Sequence, residues 1–497
     1  MEWFCNLPYL TIFLTMCTGI AVSVVKNGKA AYRITLFAVG AVAVMSAVFL
    51  ICADRGGVSM DFVMGKFHAP FGNELRIGAM QGLFATCFST VLLAALLGGR
   101  TDFFADIAPK KQGLACVMFL MTLAALLVLT YTNDAFTGYV FIEIGTISAC
   151  ALVSVKDSGA TLMATIRYLF MSLLGSGLFL FGLVLLYTIS GHLLMPQLSE
   201  RIQILAVSGS YRFPLTVAAG LLTAGLGVKS AMFPFHRWLP DAHGSATTSA
   251  SAVLSGLVLK GYIVLLLTLF LRVFTLPTMR GFGLGDVIFA FGLFGMIFGS
   301  VYAIRETHIK RMLAYSSVAQ IGYIFMGIGL MNTVGVAAAC FHILVHACSK
   351  PLLFVSAGRL SAVTEHKKDL HELCGSAYRA PLAGVGFTVG ALSMIGVPML
   401  AGFTSKLNFA TATVQSEEKT MLTLLVLALS TVLNALYYIP AIAALWSRQD
   451  GEEPKETKRS FAWAEGVAIL LLTVGVFVLG VAYRPIARII GDGIRML

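Results

Sequence analysis

Charge is scarce in this chain. Lys, Arg, Asp and Glu together make up 12% of its 497 residues, about half the share carried by a soluble globular domain. No polar stretch is long enough to fold as a separate soluble domain. No basic segment precedes the first apolar run, "LPYLTIFLTMCTGIAVSVVK", and no small-residue cleavage pattern follows it. That run therefore reads as a retained span and not as a signal peptide. The nine cysteines include no C-x-x-C pair, which removes the usual thiolate sets for zinc or an iron–sulfur cluster. Cys17, Cys116, Cys150 and Cys340 lie in apolar runs and read as small buried hydrophobes. No metal and no cofactor is expected.

What is present is apolar length. Hydrophobic residues make up 58% of the chain, in runs of roughly 17 to 25 residues, enough to cross a bilayer core. The pattern predicts an all-α polytopic membrane protein. Spans are expected at 7–25, 31–53, 77–98, 112–131, 134–155, 162–190, 213–235, 244–272, 283–304, 309–331, 334–358, 381–410, 420–446 and 461–483. The net charge of +11 is not a nucleic-acid signal, since loop Lys and Arg set orientation in a bilayer. Loops after odd-numbered spans hold most of them, including Lys110, Lys111, Lys156, Arg305, Arg311 and Lys368. That bias places those loops in the cytoplasm and both termini outside, although Arg484, Arg488 and Arg495 run against it. Residues 362–381 suggest a short amphipathic helix on the membrane surface, and residues 447–460 a solvated loop.

Ionisable residues at mid-span cost several kcal/mol and need a reason. Glu143 lies near the centre of its span, where a lone carboxylate would lose its charge unless a cation stood nearby. Lys229 lies beside Gly225, Gly227 and Pro234, which weaken the helix, and is the natural partner for Glu143. Lys260 is mid-span among small residues. His342, His346 and Lys350 are spaced by four, and each step turns only about 40°, so they form one stripe on a helix. Zinc is disfavoured there, because His342 is followed by Ile343 and not by the Glu of H-E-x-x-H. Lys406 follows a second Gly/Pro-interrupted span, with Ser405 and Thr404 placed to hydrate it. One acid, four lysines and two histidines spread through the bundle suggest a chain of protonatable groups. His236, Asp241 and His243, beside Arg237, fall beyond the first break and read as a polar entrance near the cytoplasmic surface.

Four segments resemble one known family, the antiporter-like subunits of respiratory complex I (chains of the L, M and N type), membrane-bound hydrogenases and Mrp-type Na⁺/H⁺ antiporters. They are "KSAMFPFHRWLPDAHGSATTSASAVLSGLVLKGYIVL", "IKRMLAYSSVAQIGY", "HILVHACSKPLLFVSAG" and "GVPMLAGFTSK". The resemblance spans about residues 110 to 410. It implies fourteen transmembrane helices with two inverted five-helix repeats, each containing a broken helix. The corresponding units are 1–110, 111–272, 283–446 and 447–497, the last a cytoplasmic loop and final helix. It also implies that Glu143 and Lys229 form a coupling pair, that Lys260, His342, His346 and Lys350 continue a polar axis, and that Lys406 ends it. The protein would work beside similar membrane subunits in a prokaryotic cytoplasmic membrane, moving H⁺ and in some members Na⁺. Two features depart from the family. "HGSATTSAS" lacks the usual proline, and Gln320 stands where many members have histidine. The short C-terminus favours the shorter members, such as the Mrp D type. A subunit of a redox-driven pump is the main alternative. A membrane transferase using His236, Asp241 and His243 leaves the deep charges unexplained; a purely structural subunit is a further remote alternative.

Overall fold

The structure is a computed structural model and describes residues 3–64, 67, 72–209, 211–447 and 463–496. Helices α1 (Leu7–Ser23) and α2 (Gly28–Gly56) lead into an antiparallel hairpin of β1 (Ser59–Val63) and β2 (Glu74–Gly78), with Ser59 opposite Gly78. Next come α3 (Ala79–Gly98), the short α4 (Arg100–Asp106), α5 (Pro109–Tyr131), α6 (Ala135–Ser154), α7 (Gly159–Ser190) and α8 (Met195–Ser208). A broken segment follows, made of α9 (Arg212–Lys229) and α10 (Trp238–Ser245). Then come α11 (Thr248–Phe274), α12 (Leu276–Gly281), α13 (Leu284–Ile304), α14 (Ile309–Gly329) and α15 (Thr333–Ala362). The short α16 (Ser376–Arg379) precedes a second broken segment, α17 (Pro381–Ile395) and α18 (Ala401–Val414). The chain closes with α19 (Thr420–Trp446), α20 (Trp463–Val481) and α21 (Tyr483–Arg495). Among the described residues, twelve helices are long and apolar enough to cross a membrane.

The bundle is greasy outside and polar at its centre. Large apolar side chains such as Phe37, Phe170, Phe181 and Met421 are exposed on its rim, as a surface facing lipid or other membrane helices requires. Cys17 also lies on that exposed rim, unlike the buried Cys116, Cys150 and Cys340. The innermost helices are α11 and α15, whose membrane-spanning windows are wholly buried, with α14 close behind at 94%. Lys260 is carried by α11, and the His342–His346–Lys350 stripe by α15. Lipid tails offer no hydrophobic gain for helix association, so contact depends on close packing. Between α13 and α14 that closeness comes from glycine. A methyl on Gly299 would lie 2.6 Å from the Ala319 amide nitrogen, and one on Gly322 would lie 2.6 Å from that of Met296.

Both breaks combine a left-handed residue with an adjacent lysine. Ala231 has φ +57°, two residues after Lys229, and the Phe233–Pro234 peptide is cis. In the second break Gly396 has φ +98° and Met399 φ +71°. A non-glycine residue in that region costs about 1–2 kcal/mol, which the surrounding packing offsets.

The two ends of the bundle differ. At one end Lys156 pairs with Asp106 (2.6 Å), and Asp241 with Arg167 (2.5 Å) and Arg311 (2.9 Å). Lys368 donates to the Gly244 carbonyl (3.4 Å), and His308 bridges to Asp369. The basic loops after the odd-numbered spans thus gather on one face. At the opposite end Arg272 and Arg76 hold Asp61 of the hairpin, and Lys419 holds Asp286. Arg488 is neutralised there by Asp54 at 2.8 Å, which blunts the C-terminal exception to the charge bias.

Four features differ from the sequence reading. The two five-residue strands of the hairpin escape it. The amphipathic α21 escapes it too, and so does α8. Residues 362–381 form turns with only the four-residue α16, not an amphipathic helix. His308 and Leu370 tie that segment to the start of α14, through the Asp369 bridge and a Leu370 N–H to Thr307 carbonyl bond of 3.0 Å. The expected solvated loop at 447–460 lies, after Ser447, outside the described residues.

Substituting Gly322 by Leu is expected to abolish recovery of folded protein, because the facing backbone cannot yield. Gly177→Leu, where nothing lies within 4 Å, is expected to purify normally. Equal yields on size-exclusion chromatography would contradict the packing account. A second expectation concerns His308, whose side chain caps α14 by accepting the Arg311 N–H. Burial, then Lys368 and Lys310, lowers its pKa to about 4, against about 6.5 in the unfolded chain. Between those values only the unfolded chain binds the proton, so stability falls as pH drops from about 6.5 to about 4. The melting temperature of His308→Asn, which keeps a capping acceptor, should fall less over that window than the wild type's. Parallel curves would refute it.

Candidate functional site

The first polar cluster is built where α6, α7, α9 and α11 meet. Helices α7 and α9 approach through glycine: a methyl on Gly225 would lie 2.6 Å from the Gly175 carbonyl oxygen. This brings Lys229, the last residue of α9, against α6. Its Nζ lies 3.4 Å from Glu143 Oε1 and donates to Thr146 Oγ1 at 2.8 Å. The carboxylate also accepts from the Ser176 hydroxyl. The Tyr262 ring faces the ammonium at 5.7 Å, and its hydroxyl meets Thr146 at 3.1 Å. The pair is asymmetric: the Lys229 side chain is 0% exposed and that of Glu143 26%.

The centre is carried by α11, α14 and α15. A π-helical turn at Leu254–Val258 precedes Lys260, whose Nζ donates to the Ser255 carbonyl in that turn. Lys350 donates to the Leu313 carbonyl (2.9 Å), Ser316 Oγ (2.8 Å) and the Tyr438 hydroxyl (3.2 Å). His342 Nδ1 meets Ser405 Oγ at 2.8 Å, and the His342 and His346 rings are 6.2 Å apart. His346 lies within electrostatic reach of Lys260, Lys350, His342 and His243. His342 lies within reach of Lys260 and Lys406. Both ring nitrogens of His346 and of His243 are buried without a protein hydrogen-bond partner among the described residues. Buried polar atoms in that condition take water as their partner.

The second break holds Lys406. Its Nζ donates to the carbonyl of Ile395, the last residue of α17 (2.6 Å), and to Thr431 Oγ1 (2.9 Å). A carbonyl at a helix C-terminus carries the partial negative charge that an ammonium favours. Tyr323 faces Lys406 at 5.5 Å, and Tyr438 faces Lys350 at 5.9 Å. From Lys350, side chains lead to the second break, one residue short of the carbonyl that holds Lys406, by a route that the sequence reading does not identify. Ser316 Oγ accepts from Lys350 and its own hydroxyl can donate to the Tyr437 oxygen at 3.0 Å. Tyr437 donates to Asn434 Oδ1 at 2.6 Å, and Asn434 Nδ2 reaches the Met394 carbonyl at 3.4 Å, next to Ile395. An Asn with two Tyr in "LNALYYIP", one turn apart within an apolar span, is the available signal.

Partner chemistry separates the lysines. Among the described residues only Lys229, of the four, has a carboxylate within ion-pair distance. Lys350 and Lys406 rest on hydroxyls and carbonyls, and Lys260 on a carbonyl. A carboxylate serves only the ammonium, whereas a hydroxyl can accept from an ammonium or donate to a neutral amine. The second half is therefore built to hold either form.

The polar entrance needs correction. His243 is 0% exposed and His236 only 4%, so neither lies at the surface. Helix α10 packs between α7 and α14, with Trp238 stacked on Tyr168 at 4.1 Å. This turns His243 inward onto Phe354. It joins the central stripe, within electrostatic reach of Lys350, Lys260 and Lys310. His236 stacks on Phe233. Asp241 alone is near the surface, held by Arg167 and Arg311. Among the described residues the three share no hydrogen-bonding or stacking partner that would gather them into one transferase site. Ser405 and Thr404 do not hydrate Lys406: Ser405 bonds His342, and Thr404 donates to the Gly480 carbonyl at 3.2 Å.

A family model described as NADH:quinone oxidoreductase/Mrp antiporter, TM matches residues 132–433. The chain belongs to that family. NADH-quinone oxidoreductase subunit N of Desulforudis audaxviator (strain MP104C) is 30% identical, covering 96% of this chain and 95% of that protein. The D-type subunit of the Na⁺/H⁺ antiporter of Alkalihalophilus pseudofirmus is 27% identical, covering 97% and 95%. Two solved structures share the fold at a TM-score of 0.87, each covering 99% of this chain and 97% of the other. One is from the membrane-bound sulfane sulfur reductase, an archaeal respiratory membrane complex, at 24% identity. The other is from the Mrp complex of Dietzia sp. DQ12-45-1b, at 20%. The protein is an integral membrane, antiporter-like subunit.

Proposed function

We propose that this subunit moves protons through the row Glu143, Lys229, Lys260, His342, His346, Lys350 and Lys406, as part of a multisubunit membrane complex. The observation that carries the reading is the ion pair Glu143–Lys229, at the start of a row of amines of which the others have no carboxylate within ion-pair distance among the described residues. While Glu143 stays near, Lys229 is held as an ammonium. When the partly exposed carboxylate turns to another partner, on a neighbouring subunit for instance, Lys229 is left buried with neutral groups. A buried charge that has lost its partner is strongly destabilised, so the proton moves on towards Lys260 and the histidines. Lys406, at the second break, would release it. Switching of pairs is needed because a continuous wire would only leak.

Counting each interrupted segment as one span gives fourteen, in line with two inverted repeats. The basic end of the bundle would face the cytoplasm. The names of the relatives leave two drives open. The quinone oxidoreductase relative and the respiratory reductase point to redox-driven pumping, and the antiporter relative to Na⁺/H⁺ exchange; both use the same row.

The test is proton translocation by the purified complex in vesicles. Glu143→Gln and Lys229→Met should each lower it by about tenfold or more with assembly intact. Wild-type translocation in both would sink the proposal. Na⁺ flux coupled to H⁺ flux, without a redox substrate, would select exchange over redox drive.

A further inference from the structure

Charged groups outside the row are buried at the basic end, and they connect to it. Helix α4 sits hard against the start of α11, where a methyl on Gly99 would lie 2.7 Å from the Ser249 amide nitrogen. This sets half-buried Asp102 beside Thr248, whose hydroxyl donates to the Asp102 carboxylate. Lys310, only 5% exposed, reaches Thr248 Oγ1 at 3.4 Å and the Ala246 carbonyl at 3.2 Å. Asp102 has no ion-pair partner among the described residues, in contrast to Asp241, which two arginines hold. Lys156, Lys368 and Asp106 complete the electrostatic surroundings of Lys310. Inward of Lys310 stands His243, fully buried, with both ring nitrogens lacking a protein partner among the described residues and with Lys260 and Lys350 in reach.

We propose that Asp102, Thr248, Lys310 and His243 form the cytoplasmic proton inlet to the central lysines. The inlet rests on the reading of those lysines as proton carriers. Asp102 takes a proton from the cytoplasmic side and becomes a carboxylic acid. That acid gives its proton to the Thr248 oxygen as the Thr248 hydroxyl gives its own to a neutral Lys310 amine. A hydroxyl rotates freely enough to do both. Lys310, now an ammonium, passes a proton through water to one nitrogen of His243, and the other nitrogen releases one towards Lys350 or Lys260. Each step moves one proton between closed-shell groups. The net result is one proton taken up at Asp102 and one delivered to a central amine, with Lys310 returned to its neutral form. The inlet thus bypasses Asp241, which Arg167 and Arg311 hold.

The test uses the whole complex in vesicles, with assembled protein quantified. Asp102→Asn keeps the Thr248 bond but cannot carry a proton, and Lys310→Arg keeps the charge and the Ala246 contact but cannot release one. Both should lose about tenfold or more of proton translocation, while Asp102→Glu retains it. A merely structural role would be met by Asn and Arg. Wild-type translocation in Asp102→Asn or in Lys310→Arg overturns the inlet. Loss of the assembled complex in both assigns these residues to folding and overturns it as well. Lys260→Met separates this from the parent reading. If it is inactive while Asp102→Asn is active, only the inlet fails; if both are active, the central row fails too.

Discussion

The structure depends on one imbalance: Lys229, Lys260 and Lys350 are fully buried and Lys406 half-buried in an apolar bundle, and among the described residues Glu143 is the one carboxylate within ion-pair distance of any of them. Burying an ammonium without a counter-charge is costly, and the fold limits that cost in two ways. At Lys229 it supplies Glu143. Elsewhere it supplies neutral oxygens: the Ser255 carbonyl freed in a π-helical turn, the Leu313 carbonyl with Ser316 and Tyr438, and the Ile395 carbonyl at a helix end with Thr431. The helix breaks, the π turn and the tyrosines facing Lys229, Lys350 and Lys406 all serve this one requirement.

The requirement explains why α14 and α15 are among the most buried helices although they are among the least apolar of the spans. In lipid, polar groups must be satisfied inside the protein, so the helices that carry them take the centre. The apolar faces of α2, α7, α19 and α20 form the rim. Glycine contacts then replace hydrophobic burial as the means of holding α13 on α14 and α7 on α9. Glu143 lies at the edge of this arrangement, partly exposed, where a neighbouring subunit can compete for it.

Much of this is legible in the sequence, because a charge in an apolar run is conspicuous. The seven row residues, the two breaks and the pairing of Glu143 with Lys229 can all be read from position alone. The hydroxyl and carbonyl partners cannot, since Thr146, Ser316 or Thr431 in a span looks like ordinary helix filler. Asp102 and Lys310 are hidden for a different reason. Each lies at the end of a span, where a charge is expected to be solvated, and only the packing of α4 against α11 shows Lys310 buried, Asp102 half-buried and the two joined through Thr248. His243 is misplaced by sequence distance from Lys229, which suggests the surface, whereas α10 folds back between α7 and α14.

The central claim is that the amines of the second half carry the proton and do not merely fill space. Lys350 tests it most directly, because it is fully buried, has no carboxylate partner among the described residues and leads through Ser316, Tyr437 and Asn434 to the second break beside Lys406. The decisive measurement is the number of protons moved per turnover of the whole complex in sealed vesicles, for the wild type and for Lys350→Met. The account predicts an assembled complex that moves essentially no protons. Lys350→Met complexes moving protons at the wild-type ratio would contradict it.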